Sequence, residues 1–159
     1  MPAKRQLMAL VALVGFFVAL YLTLYKVGAL GEIVCSVGSC ETVQLSRWAT
    51  FLGLPVAAWG VGFYVAVFAL VVAALQPRWE ASRALSLALL GLTAWGLVFS
   101  LWLTWLELFV IDAICQWCVV SAALVVVLFV LALLDWRERR GGLAAGDTPG
   151  ADPRRALVE

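Results

Sequence analysis

The sequence predicts an all-α membrane protein: four transmembrane helices in a bundle, with an extracytoplasmic loop or short helix between the first two. Of the 159 residues, 65% are hydrophobic and 13% are charged, and the mean hydropathy is +1.03. A soluble domain of this length cannot bury so much apolar side-chain surface. Four apolar stretches are also long enough to cross a hydrocarbon core about 30 Å thick. Lipid, rather than a protein core, must therefore solvate most of these side chains.

The four predicted spans follow the uncharged apolar runs. They cover about residues 7–25, 55–75, 85–106 and 115–134, and Glu107 adjoins the edge of the third. A cleaved signal peptide is a weaker interpretation of the first run, because a usual signal core has only about 7–15 apolar residues.

The basic residues predict the orientation in a cell (inner) membrane. Nine of the eleven Lys and Arg residues lie on the side that holds both termini, and only Lys26 and Arg47 lie on the other. By the positive-inside rule, both termini are cytoplasmic, and the loops 26–54 and 107–114 face outward.

The chain divides into a membrane domain over residues 1–136 and a tail over 137–159. The tail is rich in Gly, Ala, Pro and charge, which predicts a disordered cytoplasmic segment. The net charge of +1 gives no basic field that would favour nucleic acid.

The candidate chemistry rests on cysteine, since the chain has four cysteines and no histidine. Imidazole-based catalysis and histidine metal sites are thereby excluded. All four cysteines fall on the predicted outer side, where disulfides persist. They are Cys35 and Cys40 in the first loop, and Cys115 and Cys118 at the start of the fourth span.

Cys115 and Cys118 form a CxxC motif that opens a helix. We expect Asp112 to be its N-cap, which makes Cys115 the third helical residue. First-turn N–H groups and the helix dipole lower the pKa of Cys115, whereas the Asp112 charge raises it, and the sequence leaves this balance open. Cys115 would meet water and the loop, and Cys118 would lie deeper, at the lipid edge.

Cys35 and Cys40 enclose a short loop of small residues, including Gly38, so their sulfurs can approach. The following stretch, 42–51, predicts a short helix on the membrane face. A flexible cysteine pair above a fixed pair can exchange disulfides by thiolate attack.

Two other interpretations of the cysteines stay open. One is a non-catalytic membrane protein with two structural disulfides, such as a transporter, although no charged residue lies in the middle of a span. The other is a four-thiolate zinc site, for which the CxxxxC spacing of the first pair is unusual. We predict the thiol relay and no metal site.

The sequence resembles the vitamin K epoxide reductase family in its bacterial form, over about residues 7–135. The matching features are the Cys35/Cys40 loop pair, Ser46-Arg47-Trp48 followed by Phe51-Leu52-Gly53-Leu54-Pro55, and Cys115-Gln116-Trp117-Cys118 at the start of the fourth helix. The order of the pairs is specific, because the unrelated four-helix quinone-dependent disulfide oxidase of bacteria carries its CxxC in the first outer loop.

The resemblance implies a role for each cysteine. Cys118 would react with a membrane quinone of the menaquinone, ubiquinone or vitamin K type, with Cys115 as its partner. Cys40 would exchange with Cys115, and Cys35 would resolve that bond and meet the external thiol substrate. Ser46 matches a position that packs near the active cysteines.

The quinone site departs from the vertebrate pattern. Where vertebrate members carry a Tyr and an Asn for the quinone oxygens, this sequence has Ala122 and approximately Val56. Apolar and aromatic contacts should therefore dominate. Trp59, Trp102 and Trp117 could line the pocket, or act as interfacial anchors or packing residues.

The predicted function is electron transfer from extracytoplasmic protein dithiols to quinone, in support of disulfide-bond formation; epoxide reduction is the alternative. Many bacterial members carry a fused thioredoxin-like domain. Here the expected partner is a separate thioredoxin-fold protein outside the cytoplasm. Protons for the quinone would come from thiols, water, or acids such as Asp112 and Glu107. For Glu107 we favour a solvated helix end.

Overall fold

Four long helices form the protein. The computed structural model describes residues 2–79 and 82–146, with side chains described for 3–79 and 82–140. The long helices are α1 (Pro2–Lys26), α3 (Val56–Leu75), α4 (Arg83–Leu106) and α5 (Gln116–Gly146).

Each of the four is long and apolar enough to cross a membrane. This confirms the predicted four-helix membrane bundle and makes the chain a multi-pass membrane protein. Helices α3 and α5 begin one residue later than predicted.

The predicted tail begins inside a helix, which differs from the expectation of disorder from residue 137. Helix α5 continues to Gly146. Arg, Glu and Leu are strong helix formers and carry the helix past its apolar span. The rest of the tail, 147–159, lies outside the described residues.

The connection between α1 and α3 contains a short helix and a hairpin. Helix α2 covers Cys40–Leu45, a 3₁₀ turn covers Arg47–Ala49, and strands β1 (Thr50–Phe51) and β2 (Leu54–Pro55) pair in antiparallel fashion. The predicted short helix between the first two spans is present as α2, but it covers Cys40–Leu45 and not the whole of 42–51, whose second half forms the 3₁₀ turn and β1. Leu52 and Gly53 adopt φ of 51° and 80°, and two such residues form the tight turn that joins hairpin strands.

A closed apolar core fills the half of the bundle that contains the start of α1 and the C-terminal part of α5. Its fully buried members come from all four long helices and include Met8, Val67, Val71, Leu89 and Leu128. Many Leu, Val and Phe side chains on the outer helix faces are exposed, as expected of a surface solvated by lipid.

A buried ionic cluster ties the four long helices together at the same end of the bundle. The Asp135 carboxylate of α5 accepts hydrogen bonds from Arg5 Nε of α1 (3.3 Å) and Ser86 Oγ of α4 (3.0 Å). Arg5 Nη1 donates to the carbonyl of Ala74 in α3. Arg5 and Asp135 are 2% and 6% exposed, so the two opposite charges at this end of the bundle are buried and paired with each other.

Candidate redox site

Helix α4 ends in a π-helical turn that directs the chain towards α5. The turn covers Glu107–Ile111 and stops at Asp112, a left-handed residue with φ 52° and ψ 34°. The N–H groups of Asp112 and Ala113 both donate to the Glu107 carbonyl. Asp112 therefore closes this turn and is not the N-cap of α5, which corrects the prediction. π-helical turns are frequent at functional sites.

Cys115 occupies the position directly before α5. Its carbonyl accepts the N–H of Val119 at 3.0 Å, the first hydrogen bond of that helix. Cys115 is therefore the cap residue rather than the third residue of the helix. Its side chain is fully buried, so the prediction that Cys115 meets water is wrong.

The Cys115 thiol has a lowered pKa. The main cause is the hydrogen bond to the Cys118 side chain, and the N–H groups of Cys118 and Trp117 add to it. Burial and the Glu107 charge oppose this lowering of the pKa. The first-turn N–H groups thus act in the predicted direction, while the opposing charge is Glu107 rather than Asp112.

Glu107 is buried beside both cysteines of the CxxC motif. Glu107 is only 6% exposed, and its Oε2 accepts a hydrogen bond from the N–H of Cys115 at 3.1 Å. The carboxyl group also hydrogen-bonds to the Cys118 thiol. The interpretation of Glu107 as a solvated helix end is wrong, because Glu107 continues the face of α4 that lines the cavity, together with Ser100 and Leu103.

The other two cysteines form a disulfide. Cys35 and Cys40 are bonded, with Cα atoms 6.0 Å apart, whereas Cys115 and Cys118 are free thiols. Cys40 begins α2 and is buried, while Cys35 is half-buried. Cys40 and Cys115 belong to one buried cluster, which Cys35 and Cys118 adjoin. The structure thus brings the four predicted cysteines together.

The cysteine loop, residues 34–39, rests directly on the start of α5. Gly38 pairs with Cys115 in an isolated β-bridge, and Ser39 N donates to the Ile114 carbonyl at 2.9 Å. Gly38 has φ 88°, and an added Cβ would overlap the Ile114 oxygen. Only glycine tolerates both the dihedral angle and the close approach.

A cavity of about 340 Å³ lies between the helices, beside the CxxC motif. Of the four cysteines, only Cys118 is on its wall. The wall is mostly apolar and carries seven aromatic rings, from Trp48, Phe51, Trp59, Phe63, Tyr64, Trp95 and Phe99.

Most of the predicted quinone-site residues line this cavity. Cys118, Trp59, Ser46 and Ala122 are on the wall, and so is Val56. Cys118 is therefore the CxxC thiol that meets the cavity, whereas Cys115 is the fully buried one. The position of Cys118 at the lipid edge stays a prediction.

Two of the predicted tryptophans are elsewhere. Trp117 is not on the wall; its Nε1 donates to the Val34 carbonyl at 2.7 Å, and its ring packs edge-on against Tyr21. Trp102 also lies off the wall and packs against Phe51.

Sequence reasoning missed Gln44. This buried side chain lines the cavity, and its Nε2 lies 3.7 Å from Cys118 Sγ, within hydrogen-bonding distance of a sulfur. One signal was available, because Gln44 follows Cys40 by four residues and so shares its face of α2.

A zinc site has no support in the described part of the chain. There, no group of three or more His, Cys, Asp or Glu side chains could hold a metal ion. Two of the four thiols that such a site would need are joined as the Cys35–Cys40 disulfide.

Comparison with known protein families identifies the family of this chain. The family model described as the vitamin K epoxide reductase family matches residues 6–133. The matched segment contains all four cysteines and all residues that line the cavity, whereas Arg5 and Asp135 lie just outside it.

Proposed function

Since the chain belongs to the vitamin K epoxide reductase family, a family of membrane oxidoreductases, we propose that it oxidises external dithiols and passes their electrons to a membrane quinone. The observation that carries the proposal is the position of Cys118. It is the cysteine on the cavity wall, and its partner Cys115 shares a buried cluster with Cys40. The shared cluster of Cys40 and Cys115, with Cys118 on the cavity wall, supports a path for electrons from the Cys35–Cys40 disulfide to the apolar pocket.

The first step is reduction of the Cys35–Cys40 disulfide by an external dithiol. The donor attacks Cys35, the more exposed sulfur, and leaves as a disulfide after its second thiol resolves the bond. Two electrons have then entered the pair, and Cys35 and Cys40 are thiols.

The second step transfers these electrons to the CxxC motif. The Cys40 thiolate attacks the Cys115–Cys118 disulfide at Cys115, so that Cys118 leaves as a thiol. Cys35 then attacks Cys40, reforms the Cys35–Cys40 bond and releases Cys115. The described arrangement, with one disulfide and two free thiols, corresponds to the product of this exchange.

The cavity suits a quinone ring. Its volume falls within the range of small-molecule pockets, its wall is apolar and aromatic, and a thiol faces it. Cys118, Trp59, Ser46 and Ala122 would hold the ring. When bound there, a quinone would accept two electrons from the Cys115/Cys118 dithiol and two protons, which yields a hydroquinone.

Glu107 would move the proton of Cys118. In a chain without histidine, it is the buried carboxyl group that contacts the Cys118 thiol and also lines the cavity. It can accept the proton from Cys118 Sγ as the Cys115–Cys118 disulfide forms, and release it into the cavity.

The physiological setting follows from the same proposal. The electron donor would be a separate thioredoxin-fold protein outside the cytoplasm, and the net result would be disulfide formation in secreted proteins. Both termini would be cytoplasmic in the cell membrane. Epoxide reduction is the alternative; Ala122 and Val56 on the wall lack the polar groups of the vertebrate Tyr and Asn, which argues against it.

The decisive experiment is an anaerobic assay of quinone reduction by dithiothreitol with the purified protein and its four single cysteine variants. We expect Cys118→Ala to reduce the rate to background. Cys35→Ala should block electron entry from a protein dithiol, yet retain some turnover with dithiothreitol, which can reach the inner pair. Quinone reduction by Cys118→Ala at the native rate would refute the proposal.

A further inference from the structure

The residues between the two cysteines of the CxxC motif hold the cysteine loop. Oε1 of Gln116 accepts two backbone hydrogen bonds, from Ser36 N and Val37 N, each 3.1 Å long. These N–H groups directly follow Cys35 in the chain. A single side-chain oxygen thus fixes the backbone next to one cysteine of the outer pair.

Hydrogen bonds, rather than apolar burial, hold this loop. Val34 and Val37 are 70% and 72% exposed, and Gly38 has no side chain to pack. At one end, Val34 N donates to Tyr21 Oη at 3.0 Å, and at the other, Ser39 N donates to the Ile114 carbonyl. The middle of the loop is held by Gln116.

We propose that Gln116 is a positioning residue for disulfide exchange. Its carbonyl oxygen keeps Cys35 within reach of Cys40 while the bond between them is open. Cys35 can then attack the Cys40–Cys115 mixed disulfide, which reforms Cys35–Cys40 and returns the Cys115 thiol. This role rests on the proposed electron route. Within that route, Gln116 controls the step in which Cys35 resolves the mixed disulfide.

The physical reason is the loss of covalent closure during exchange. When the Cys35–Cys40 bond is open, the short chain that carries Cys35 gains conformational freedom. The two Gln116 hydrogen bonds remain and limit that freedom. They therefore raise the effective concentration of the Cys35 thiol at Cys40.

The test measures that effective concentration without any quinone. In a Cys115→Ser/Cys118→Ser background, the Cys35–Cys40 disulfide is equilibrated with reduced and oxidised dithiothreitol, and its oxidised fraction is read by alkylation and mass spectrometry. Gln116→Met keeps the side-chain length but removes the oxygen. It should make the disulfide about fivefold to tenfold easier to reduce, as expected for the loss of roughly one net hydrogen bond.

Two control variants separate the hydrogen bonds from other effects. Gln116→Glu keeps an acceptor oxygen and should stay within about threefold of the parent. Gln6→Met makes the same chemical change at an exposed site in α1 and should have no effect. An unchanged equilibrium in Gln116→Met, or an equal loss in Gln116→Met and Gln116→Glu, would overturn the proposal.

A second measurement uses the protein with all four cysteines. During turnover with dithiothreitol and quinone, Gln116→Met should accumulate the Cys40–Cys115 mixed disulfide at least about fivefold above the parent, because Cys35 resolves it slowly. A general loss of folding would lower turnover without this accumulation. Should the parent itself transfer no electrons to quinone, the proposed function fails, and the dithiothreitol equilibrium still reports on the Gln116 contact separately.

Discussion

The two ends of the bundle handle buried polar groups in opposite ways. At the end near Arg5 and Asp135, each charged group meets an opposite charge, and the surrounding core is closed. At the cysteine end, Glu107 lies buried beside two thiols and pairs with no Lys or Arg of the described residues, and a cavity reaches Cys118. The first arrangement stabilises a fold, whereas the second retains groups that can lose protons and electrons.

This comparison predicts that substitutions at the two ends affect different quantities. Those at the ionic cluster should lower stability and leave the turnover of folded molecules intact. Those at the cysteine end should reduce turnover more than stability.

Asp135→Ala should give the largest effect, a loss of about 3 kcal/mol in the free energy of unfolding. It removes the carboxylate that accepts hydrogen bonds from Arg5, Ser86 and Arg139. The measurement is unfolding of purified protein in detergent, with turnover recorded per folded molecule. Glu138→Ala, which removes only the exposed pair with Lys4, is the control and should cost less than about 1 kcal/mol. Equal losses in the two variants would contradict the conclusion that the buried ionic cluster stabilises the fold.

Glu107→Gln should reduce quinone reduction about 100-fold, a typical contribution of a positioned acid–base group. The amide retains an oxygen for the Cys115 N–H but cannot accept the Cys118 proton. The assay is single-turnover oxidation of the Cys115/Cys118 dithiol by excess quinone.

Asp112→Asn is the matched control for Glu107→Gln, because Asp112 is an exposed acid that ends the same π-helical turn. It should retain more than about half of the native rate. Native turnover in Glu107→Gln would assign proton transfer to water or to the thiols alone.

Gly38→Ala should reduce thiol-driven turnover about tenfold. The added Cβ would overlap the Ile114 carbonyl oxygen that Ser39 binds, and the backbone there has a positive φ. Gly28→Ala separates these causes, because Gly28 also has a positive φ of 78° but has no atom within 4 Å of an added Cβ. Faster amide exchange in residues 34–39 of Gly38→Ala alone would show that close approach matters. Equal effects of the two changes would mean that Gly38 matters only for its positive φ and not for the close approach to Ile114.

The same contrast explains what the sequence could predict. The four spans follow from apolar length, and the CxxC motif and the loop pair follow from spacing and topology, because those signals are local. The roles of Glu107 and Asp112 did not, since Glu107 is buried against the cysteines and a π-helical turn separates Asp112 from α5. Nothing in the run Glu107–Ile111 marks that turn.

Contacts between distant segments were also beyond the sequence. Gln44, Gln116 and Trp117 are ordinary polar and aromatic residues until the loop and α5 are brought together. Arg5 and Asp135 could be placed near the helix ends, yet their pairing across 130 residues depends on which helices are neighbours.

The smallest predicted effect concerns the pH dependence of Cys115. Its pKa is lowered mainly by the hydrogen bond from Cys118, so in the reduced protein its thiolate forms at a lower pH than that of an ordinary cysteine. Cys118→Ala removes this donor, and the pKa should rise, which moves the midpoint of Cys115 modification to higher pH. Cys118→Ser keeps a donor and should move the midpoint less. The measurement is the rate of modification by a small thiosulfonate across pH, in a Cys35→Ser/Cys40→Ser background. A midpoint that stays fixed or falls in Cys118→Ala would mean that the N–H groups of the first turn of α5, rather than the neighbouring thiol, set the acidity of Cys115.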